Sequence, residues 1–132
     1  GPALAWKKAL QSAKLDLLDL SFVESHDCFT SAELIEYEAM GLTAPGEGER
    51  AIHEGWVERT GKLPVNVSGG LLCKSHPVGA TGVAQFAELT WQLRGEAKGR
   101  QVEGAKVALA HSQGGTGLEA LATCVTVLSR GT

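Results

Sequence analysis

Apolar residues recur at helical spacing in three stretches of the chain. The first begins at Pro2, which suits a first helical turn, and is predicted to end near Lys14. The second covers 30–40, where Thr30 and Glu33 have the spacing of a capping box and a glycine follows. The third begins after Gly82 and ends at Gly95. The pattern therefore predicts three helices.

Short runs of β-branched and apolar residues lie between these helices. They predict strands at 21–26, 65–67, 106–110 and 119–128. The last run is apolar at both alternating sets of positions, which predicts a strand buried on both faces. The alternation of strands and helices predicts a three-layer α/β domain, with a mixed sheet of four or five strands and helices on both faces. We treat 1–132 as one domain, as its length indicates.

Composition limits the classes of protein to which the chain can belong. It is 43% hydrophobic and 20% charged, which is typical of a globular domain. The net charge is −3 with scattered basic residues, so we predict no nucleic-acid partner. No apolar run approaches the roughly 18 residues of a membrane span, so we predict no membrane partner.

The chain has three cysteines, Cys28, Cys73 and Cys124, with no metal-type spacing. Free thiols indicate a reducing compartment. We therefore predict a cytoplasmic location, or a peroxisomal one if the source is eukaryotic. Cys73 and Cys124 sit in no motif of their own and are predicted to be buried structural residues.

Residues that could take part in catalysis follow the predicted strands. His26 and Cys28 follow the first, His76 lies in the glycine-rich stretch 68–82 after the second, and His111 follows the third. Strands of parallel type would bring these loops to one edge of the sheet, where ligands bind. Two imidazoles near a thiol can take its proton or stabilise its thiolate. Glycine-rich loops can present N–H groups to a developing oxyanion.

Two alternatives exist at the level of single residues. His76 could be an incidental residue of a strand-to-helix turn, and Cys28 could be a small buried apolar residue. A metal site is a third interpretation, but the spacings match no zinc pattern and no carboxylate completes a facial triad. We therefore predict no metal.

Three motifs together resemble the C-terminal half of a thiolase, and among thiolases the sterol-carrier-protein type. They are HDCF at 26–29, the glycine-rich stretch with KSHPVGATG at 69–82, and AELTWQLRGE at 87–96. The likeness runs from about Ala3 to Arg130. It implies a thiolase-type acyl-CoA acyltransferase of 3-ketoacyl-CoA thiolysis, in lipid or sterol side-chain breakdown. Coenzyme A and acyl-CoA would be substrates, with no other cofactor.

The resemblance also implies residue roles. His76 would activate the nucleophilic cysteine, and His26 would help to hold an oxyanion-hole water. Cys28 would be the acid/base for the α-carbon, as in the sterol-carrier type, while His111 stands where most thiolases have that cysteine. The expected substrate-binding residues are Gly70, Gly79, Gly114 and Gly115.

The chain departs from the family pattern in three respects, one of which is Ser112-Gln113 after His111, where most thiolases have small residues and a glycine. Ser75 replaces the usual glycine before His76, and its side chain would leave less room for close approach to the backbone there. The nucleophilic cysteine belongs to the N-terminal half, which this sequence lacks. The missing half is thus an expected partner, in a homo- or hetero-oligomer, and the isolated chain is expected to be inactive.

Alternative functions remain open at this point. The chain could be a non-catalytic thiolase-like module, or a subunit that completes a site in a heteromeric acyl-CoA enzyme complex. A ketosynthase relative would share the Lys-Ser run but lacks the HDCF motif. A retro-aldolase relative is also conceivable, although the retained His26 and His76 count against it.

Overall fold

The described residues form five α-helices and three strands, and the predicted alternation is broken because four helices follow one another between the first strand and the second. The structure is a computed structural model and describes residues 1–115 and 122–131. Short 3-10 turns lie at Leu17–Asp19 and Lys98–Arg100. The helices and strands are α1 (Pro2–Ala13), β1 (Phe22–Glu24), α2 (Thr30–Ala39), α3 (Gly48–His53), α4 (Gly70–Lys74), α5 (Thr81–Arg94), β2 (Val107–Gly114) and β3 (Ala122–Ser129).

The helix ends follow local chemistry with one exception. α1 has its proline in the first turn and closes on Lys14 in the left-handed conformation. α5 ends at Gly95, whose φ of 76° suits a residue without a Cβ. The capping box predicted for Thr30 and Glu33 is wrong. The cap residue is Phe29, with no side-chain cap bond, and Glu33 instead accepts a hydrogen bond from the Tyr37 hydroxyl at 2.6 Å.

The sheet is mixed, with the order β1-β2-β3. β1 runs parallel to β2, with Phe22 opposite Ala108. β2 runs antiparallel to β3, with His111 opposite Val125. The mixed sheet is confirmed, but the predicted four or five strands are wrong, because the described residues form three.

The segment 65–67 was expected to be a strand and forms only a single bridge, between Val65 and Val23. Asn66 has a φ of 52°, a left-handed conformation that no extended strand can continue through. Its N–H donates to the carbonyl of Val23 at 2.8 Å, and its Oδ1 accepts from the N–H of Ser25 at 2.7 Å. The carbonyl of Pro64 accepts from the N–H of Val23 at 2.9 Å, so Pro64 and Asn66 together bond the open side of β1, and Asn66 ends the pairing there.

Alternate residues of the central strands face two separate cores. Val23 and Leu109 face the layer of α1, α2 and α3, in a core that includes Trp6 and Tyr37. The opposite face of the sheet packs against α5, with the residues Phe22, Leu89, Leu93, Val102, Ala105, Ala108 and Ala110. Helices thus cover both faces, and the predicted three-layer α/β fold is confirmed.

The prediction of a last strand buried on both faces is wrong for its described part. β3 is half-buried or exposed along its length, and residues 119–121 lie outside the described residues. α1 packs on one face of β3, whereas α5 packs mainly on β1 and β2, so the other face of β3 is only partly covered, by contacts such as that of Leu128 with the core beneath α5. Cys124 lies on that face and is exposed. Cys73 is also exposed, because only Gly70 and Leu71 of the short α4 are buried. Neither cysteine has the buried structural role that was predicted.

In the described part of the chain, no helix combines the length and the hydropathy that crossing a bilayer requires. α5, for example, has 14 residues, against the roughly 20 that a span requires.

Candidate active site

The candidate site lies at the carboxyl ends of the two parallel strands. β1 leads into Ser25, His26 and Asp27, which are all buried, and then into Cys28 at the start of α2. β2 is longer than predicted. His111 was expected in a loop over 111–117, but 111–114 continue the strand, because antiparallel pairing runs on to Gly114 opposite Ala122. Residues 116 and 117 of that expected loop lie outside the described residues.

Two histidines from different loops meet at this edge. The rings of His26 and His76 are edge to face, with centroids 4.8 Å apart and an interplanar angle of 83°. His26 is 3% exposed, whereas His76 is exposed to solvent. The Nδ1 of His76 lies 2.7 Å from the Thr81 hydroxyl, in the first turn of α5. This hydrogen bond orients the exposed imidazole on a rigid helix.

The electrostatic surroundings lower the pKa of His26. Burial is the main cause, and the charges of His76 and His111 act in the same direction, while Asp27 opposes them. A neighbouring positive charge disfavours protonation of the buried His26 ring. His26 is therefore held as a neutral imidazole, which can donate one hydrogen bond and accept another.

Cys28 is half-buried and lines an open pocket of about 340 Å³. The pKa of its thiol is raised, first by burial and then by the charge of Glu36. A raised pKa keeps the sulfur protonated and makes it a proton donor rather than a resting nucleophile. The pocket is lined by Pro2, His26, Cys28, Ala32, Ile35, Glu36, Ala39, Gln113, Gly114 and Gly115.

His111 lies behind this pocket rather than on its surface. Its side chain is fully buried and meets the ring of Trp6 edge-on, with centroids 5.7 Å apart. Its Nδ1 is 3.4 Å from the Glu36 carboxylate. The structure thus brings His111 to the site but gives it no exposed surface, and its catalytic role stays a prediction.

The four predicted substrate-binding glycines divide into two groups. Gly114 and Gly115 lie at the Cys28 pocket. Gly79 lies in the turn before α5, with a φ of 87° and open space around it. Gly70 begins α4, a helical turn inside the stretch that was expected to be a loop. A Cβ there would overlap the carboxylate of Asp27, so the absence of a side chain is required by the protein itself.

Sequence reasoning missed several buried polar residues around the site. Glu24, 1% exposed, accepts hydrogen bonds from the Ser68 N–H at 3.1 Å and from the Lys74 ammonium at 3.2 Å. Burial raises its pKa, and Lys74 opposes that shift. Gln85 donates to the carbonyl of His111 at 2.9 Å and so ties α5 to β2. A charged residue inside a short apolar strand was the available signal for Glu24.

Within residues 1–115 and 122–131, no group of three or more His, Cys, Asp or Glu side chains has a metal-binding arrangement. The absence of a metal stays a prediction for the whole chain.

Comparison with known proteins identifies the family. A family model described as thiolase C-terminal domain-like matches residues 3–130. The chain therefore belongs to the thiolase C-terminal domain-like family, and the resemblance stated from the sequence is confirmed.

The chain matches only part of the length of each of three relatives. It is 50% identical to an acetyl-CoA acetyltransferase of Methanothermobacter thermautotrophicus, over 86% of the chain and 30% of that protein. It is 51% identical to human sterol carrier protein 2, over 83% of the chain and 20% of that protein. A solved structure of an Ltp2-ChsH2(DUF35) aldolase superposes with a TM-score of 0.80 at 25% identity, over 98% of the chain and 32% of that one. The chain thus spans about a fifth to a third of the length of these relatives.

Proposed function

We propose that this chain is the C-terminal catalytic domain of a thiolase-type acyltransferase that cleaves 3-ketoacyl-CoA with coenzyme A, in lipid or sterol side-chain breakdown. The observation that carries the proposal is the pocket in which the Cys28 thiol lies with His26, beside the exposed imidazole of His76. Thiolysis needs a base for a nucleophilic thiol, an acid for an enolate carbon and polar groups for carbonyl oxygens. The three side chains match these needs.

In the first half-reaction, His76 and Cys28 each transfer one proton. His76 takes the proton of a nucleophilic cysteine supplied from outside this chain. The resulting thiolate attacks the 3-keto carbon, the bond between C2 and C3 breaks, and its electron pair forms the enolate of acetyl-CoA. Cys28 gives its S–H proton to the α-carbon. Acetyl-CoA leaves, with Cys28 now a thiolate.

The second half-reaction restores both groups. The Cys28 thiolate takes the proton of a coenzyme A thiol, and that sulfur attacks the acyl-cysteine. The shortened acyl-CoA leaves, and the freed cysteine thiolate takes back its proton from His76. The neutral ring of His26 and the backbone near Gly114 and Gly115 are placed to bind carbonyl oxygen, directly or through water.

Exposed apolar side chains around the site support the proposal that a second body covers it. The exposed fractions are 72% for Phe29, 67% for Leu72, 93% for Val78 and 70% for Val83. Exposed apolar groups that cluster near one site mark an interaction surface. We assign this surface to a thiolase N-terminal half, in the same polypeptide or in another subunit. The relatives' greater length agrees with that assignment.

The state of the cysteines supports a reducing compartment. Cys28, Cys73 and Cys124 are all free thiols, and two of them are exposed. Exposed free thiols persist where glutathione and thioredoxin keep them reduced. We therefore place the protein in the cytoplasm, or in the peroxisome if its source is eukaryotic.

The first experiment asks whether the chain needs its missing half. The purified chain is incubated with acetoacetyl-CoA and coenzyme A, alone and with a thiolase N-terminal half. Acyl adducts are located by mass spectrometry. We expect no adduct on the chain alone, because none of its cysteines occupies a nucleophile motif. An adduct on Cys28 or Cys73 with multiple turnover would make the chain a minimal enzyme and contradict this part of the proposal.

The second experiment separates the roles of the site residues in the reconstituted enzyme. His76→Ala should block acylation. Cys28→Ala should leave acylation intact but abolish exchange of the α-protons of acetyl-CoA, while His53→Ala on exposed α3 is the control. If Cys28→Ala kept normal exchange, the acid/base role would pass to His111.

An aldolase is the second candidate function, because the solved structure that superposes on the chain is named as one. A retro-aldol cleavage also breaks a carbon–carbon bond beside a carbonyl, but it uses a 3-hydroxyacyl-CoA and needs no coenzyme A. Incubating the reconstituted protein with a 3-hydroxyacyl-CoA in the absence of coenzyme A separates the two functions. Release of a ketone or aldehyde would support the aldolase, and cleavage only of a 3-ketoacyl-CoA with coenzyme A would support the thiolase.

A further inference from the structure

A buried carboxylate lines the Cys28 pocket. Glu36, on α2, is 2% exposed and lines the pocket that contains Cys28. One of its oxygens accepts a hydrogen bond from the Gln113 amide at 3.2 Å. The other accepts from the Ser25 hydroxyl and lies 3.4 Å from the Nδ1 of His111. Glu36 thus connects α2 to the ends of both parallel strands.

Two other buried glutamates show how this protein compensates a carboxylate when only stability is at stake. Glu88 pairs with Arg100 at 2.9 Å, and Glu24 pairs with Lys74 at 3.2 Å. Within the described residues, the ion pair of Glu36 is instead with an imidazole, which carries a charge only when protonated. Burial raises the pKa of Glu36, and His111 opposes that shift. A carboxylate with such weak compensation is costly to bury, and its position at a reactive thiol gives it a use.

We propose that Glu36 is a positioning residue for Cys28: its carboxylate places a negative charge beside the thiol, so that Cys28 enters the reaction protonated and becomes a strong base once it has given up that proton. This inference rests on the proposed acid/base role of Cys28. In the reaction above, the thiolate left after protonation of the α-carbon shares its pocket with the Glu36 carboxylate. The repulsion favours recapture of a proton from coenzyme A, which prepares the second half-reaction.

The groups facing Cys28 come from several elements. Glu36 lines the pocket from α2, and His26 and Asp27 precede the cysteine in its own segment, while His111 of β2 lies behind Glu36 and His76 lies beyond His26. The pKa of Cys28 is raised by burial, by Glu36 and by Asp27, and lowered by the backbone N–H groups of Cys28 and Phe29. Among these causes, Glu36 makes the largest contribution of any side chain, and the test therefore removes its charge.

The test measures the thiol without requiring turnover. Cys73→Ser and Cys124→Ser leave Cys28 as the one reactive cysteine, and its alkylation by iodoacetamide is followed across a pH series. Glu36→Gln should move the midpoint of the pH–rate curve to lower pH. It should also speed alkylation near neutral pH by about twofold or more, because lowering the midpoint by one pH unit increases the fraction of thiolate by up to about tenfold. Glu33→Gln is the matched control, one turn earlier on α2 with Tyr37 as its partner, and should leave the midpoint unchanged.

Two further variants keep the test decisive. Glu36→Asp retains the charge and should keep the midpoint above that of Glu36→Gln. If Glu36→Gln fails to fold, Glu36→Met removes the charge together with its desolvation cost and should give the same downward shift. An unchanged midpoint in the folded uncharged variant, or an equal shift in Glu33→Gln, would overturn the inference. Because no acyl substrate is used, a failure here is distinct from a failure of the proposed thiolysis.

Discussion

The ring of His26 meets that of His76 edge-on, with centroids 4.8 Å apart. The first histidine follows β1 and the second precedes α5, so they are 50 positions apart in the chain. Their contact joins the segment carrying Cys28 to the glycine-rich turn. It also brings the charge of His76 close to His26, where that charge disfavours protonation of the buried ring.

Removing one ring should therefore change the titration of the other. His76→Asn is expected to raise the pKa of His26, because the charge of His76 is one of the causes that lower it. Burial remains, so the pKa should stay below its ordinary value. NMR titration of the His26 ring protons measures this, with His53→Asn on the exposed end of α3 as control. A pKa of His26 that does not respond to His76→Asn would contradict the coupling.

The lowered pKa of His26 also predicts how stability depends on pH. As pH falls below about 6.5, the unfolded chain protonates this histidine before the folded chain does. Folded protein is therefore favoured above that pH, and the contribution is lost as pH falls through the lower folded-state pKa. Urea unfolding of wild type and His26→Asn at several pH values gives the difference. The wild type should lose more stability on acidification, and parallel curves would count against a lowered pKa.

Ser75 lies in a backbone conformation that favours glycine, with φ 63° and ψ 176°. Ser75→Gly should raise the free energy of unfolding by about 1 kcal/mol, as relief of strain exceeds the entropy cost of a glycine. Ser75→Ala is the control, because alanine has the same backbone restriction. Urea unfolding measures both variants, and equal stabilities for glycine and alanine would show that no strain is stored there.

Gly70 and Gly79 both have positive φ, but only Gly70 faces another group. Gly79→Ala should cost about 1 kcal/mol from its backbone conformation alone. Gly70→Ala should cost about 2 kcal/mol more, because its Cβ would overlap the Asp27 carboxylate, which also accepts the N–H of Leu71 at 2.9 Å. Thermal unfolding compares the two. Equal losses would mean that Asp27 can move aside without cost.

The ion pair of Glu88 and Arg100 should contribute more to the free energy of unfolding than the ion pairs of Arg50. Glu88 is 3% exposed, and Arg100 contacts both of its oxygens at 2.9 and 3.3 Å. Arg100→Ala should lower the free energy of unfolding by about 2 kcal/mol, less than for a fully buried pair because the guanidinium is half exposed and screened. Arg50→Ala removes two exposed pairs and should change stability little. A loss for Arg100→Ala no larger than for Arg50→Ala would refute the comparison.

Most of the secondary structure could be predicted because its signals are local. The proline that starts α1 and the glycine that ends α5 act through backbone sterics within a single turn. The motifs HDCF and HPVGATG likewise identify the family without any knowledge of contacts. Prediction failed where a distant segment decided the outcome. Asn66 ended an expected strand through hydrogen bonds to Val23 and Ser25, more than 40 positions earlier.

The sequence alone determined the three-layer class, the C-terminal ends of α1 and α5 and the family, because hydrophobic period and turn chemistry depend on neighbouring residues. Only the tertiary structure decided which groups surround the Cys28 thiol. Pairing with β3 extended β2 past His111 and buried that ring against Trp6. The same packing brought Glu36 onto the Cys28 pocket, although its sequence position among helix residues indicates only a polar side chain. Burial and charge at a site depend on segments far apart in the chain, and local patterns carry no information about them.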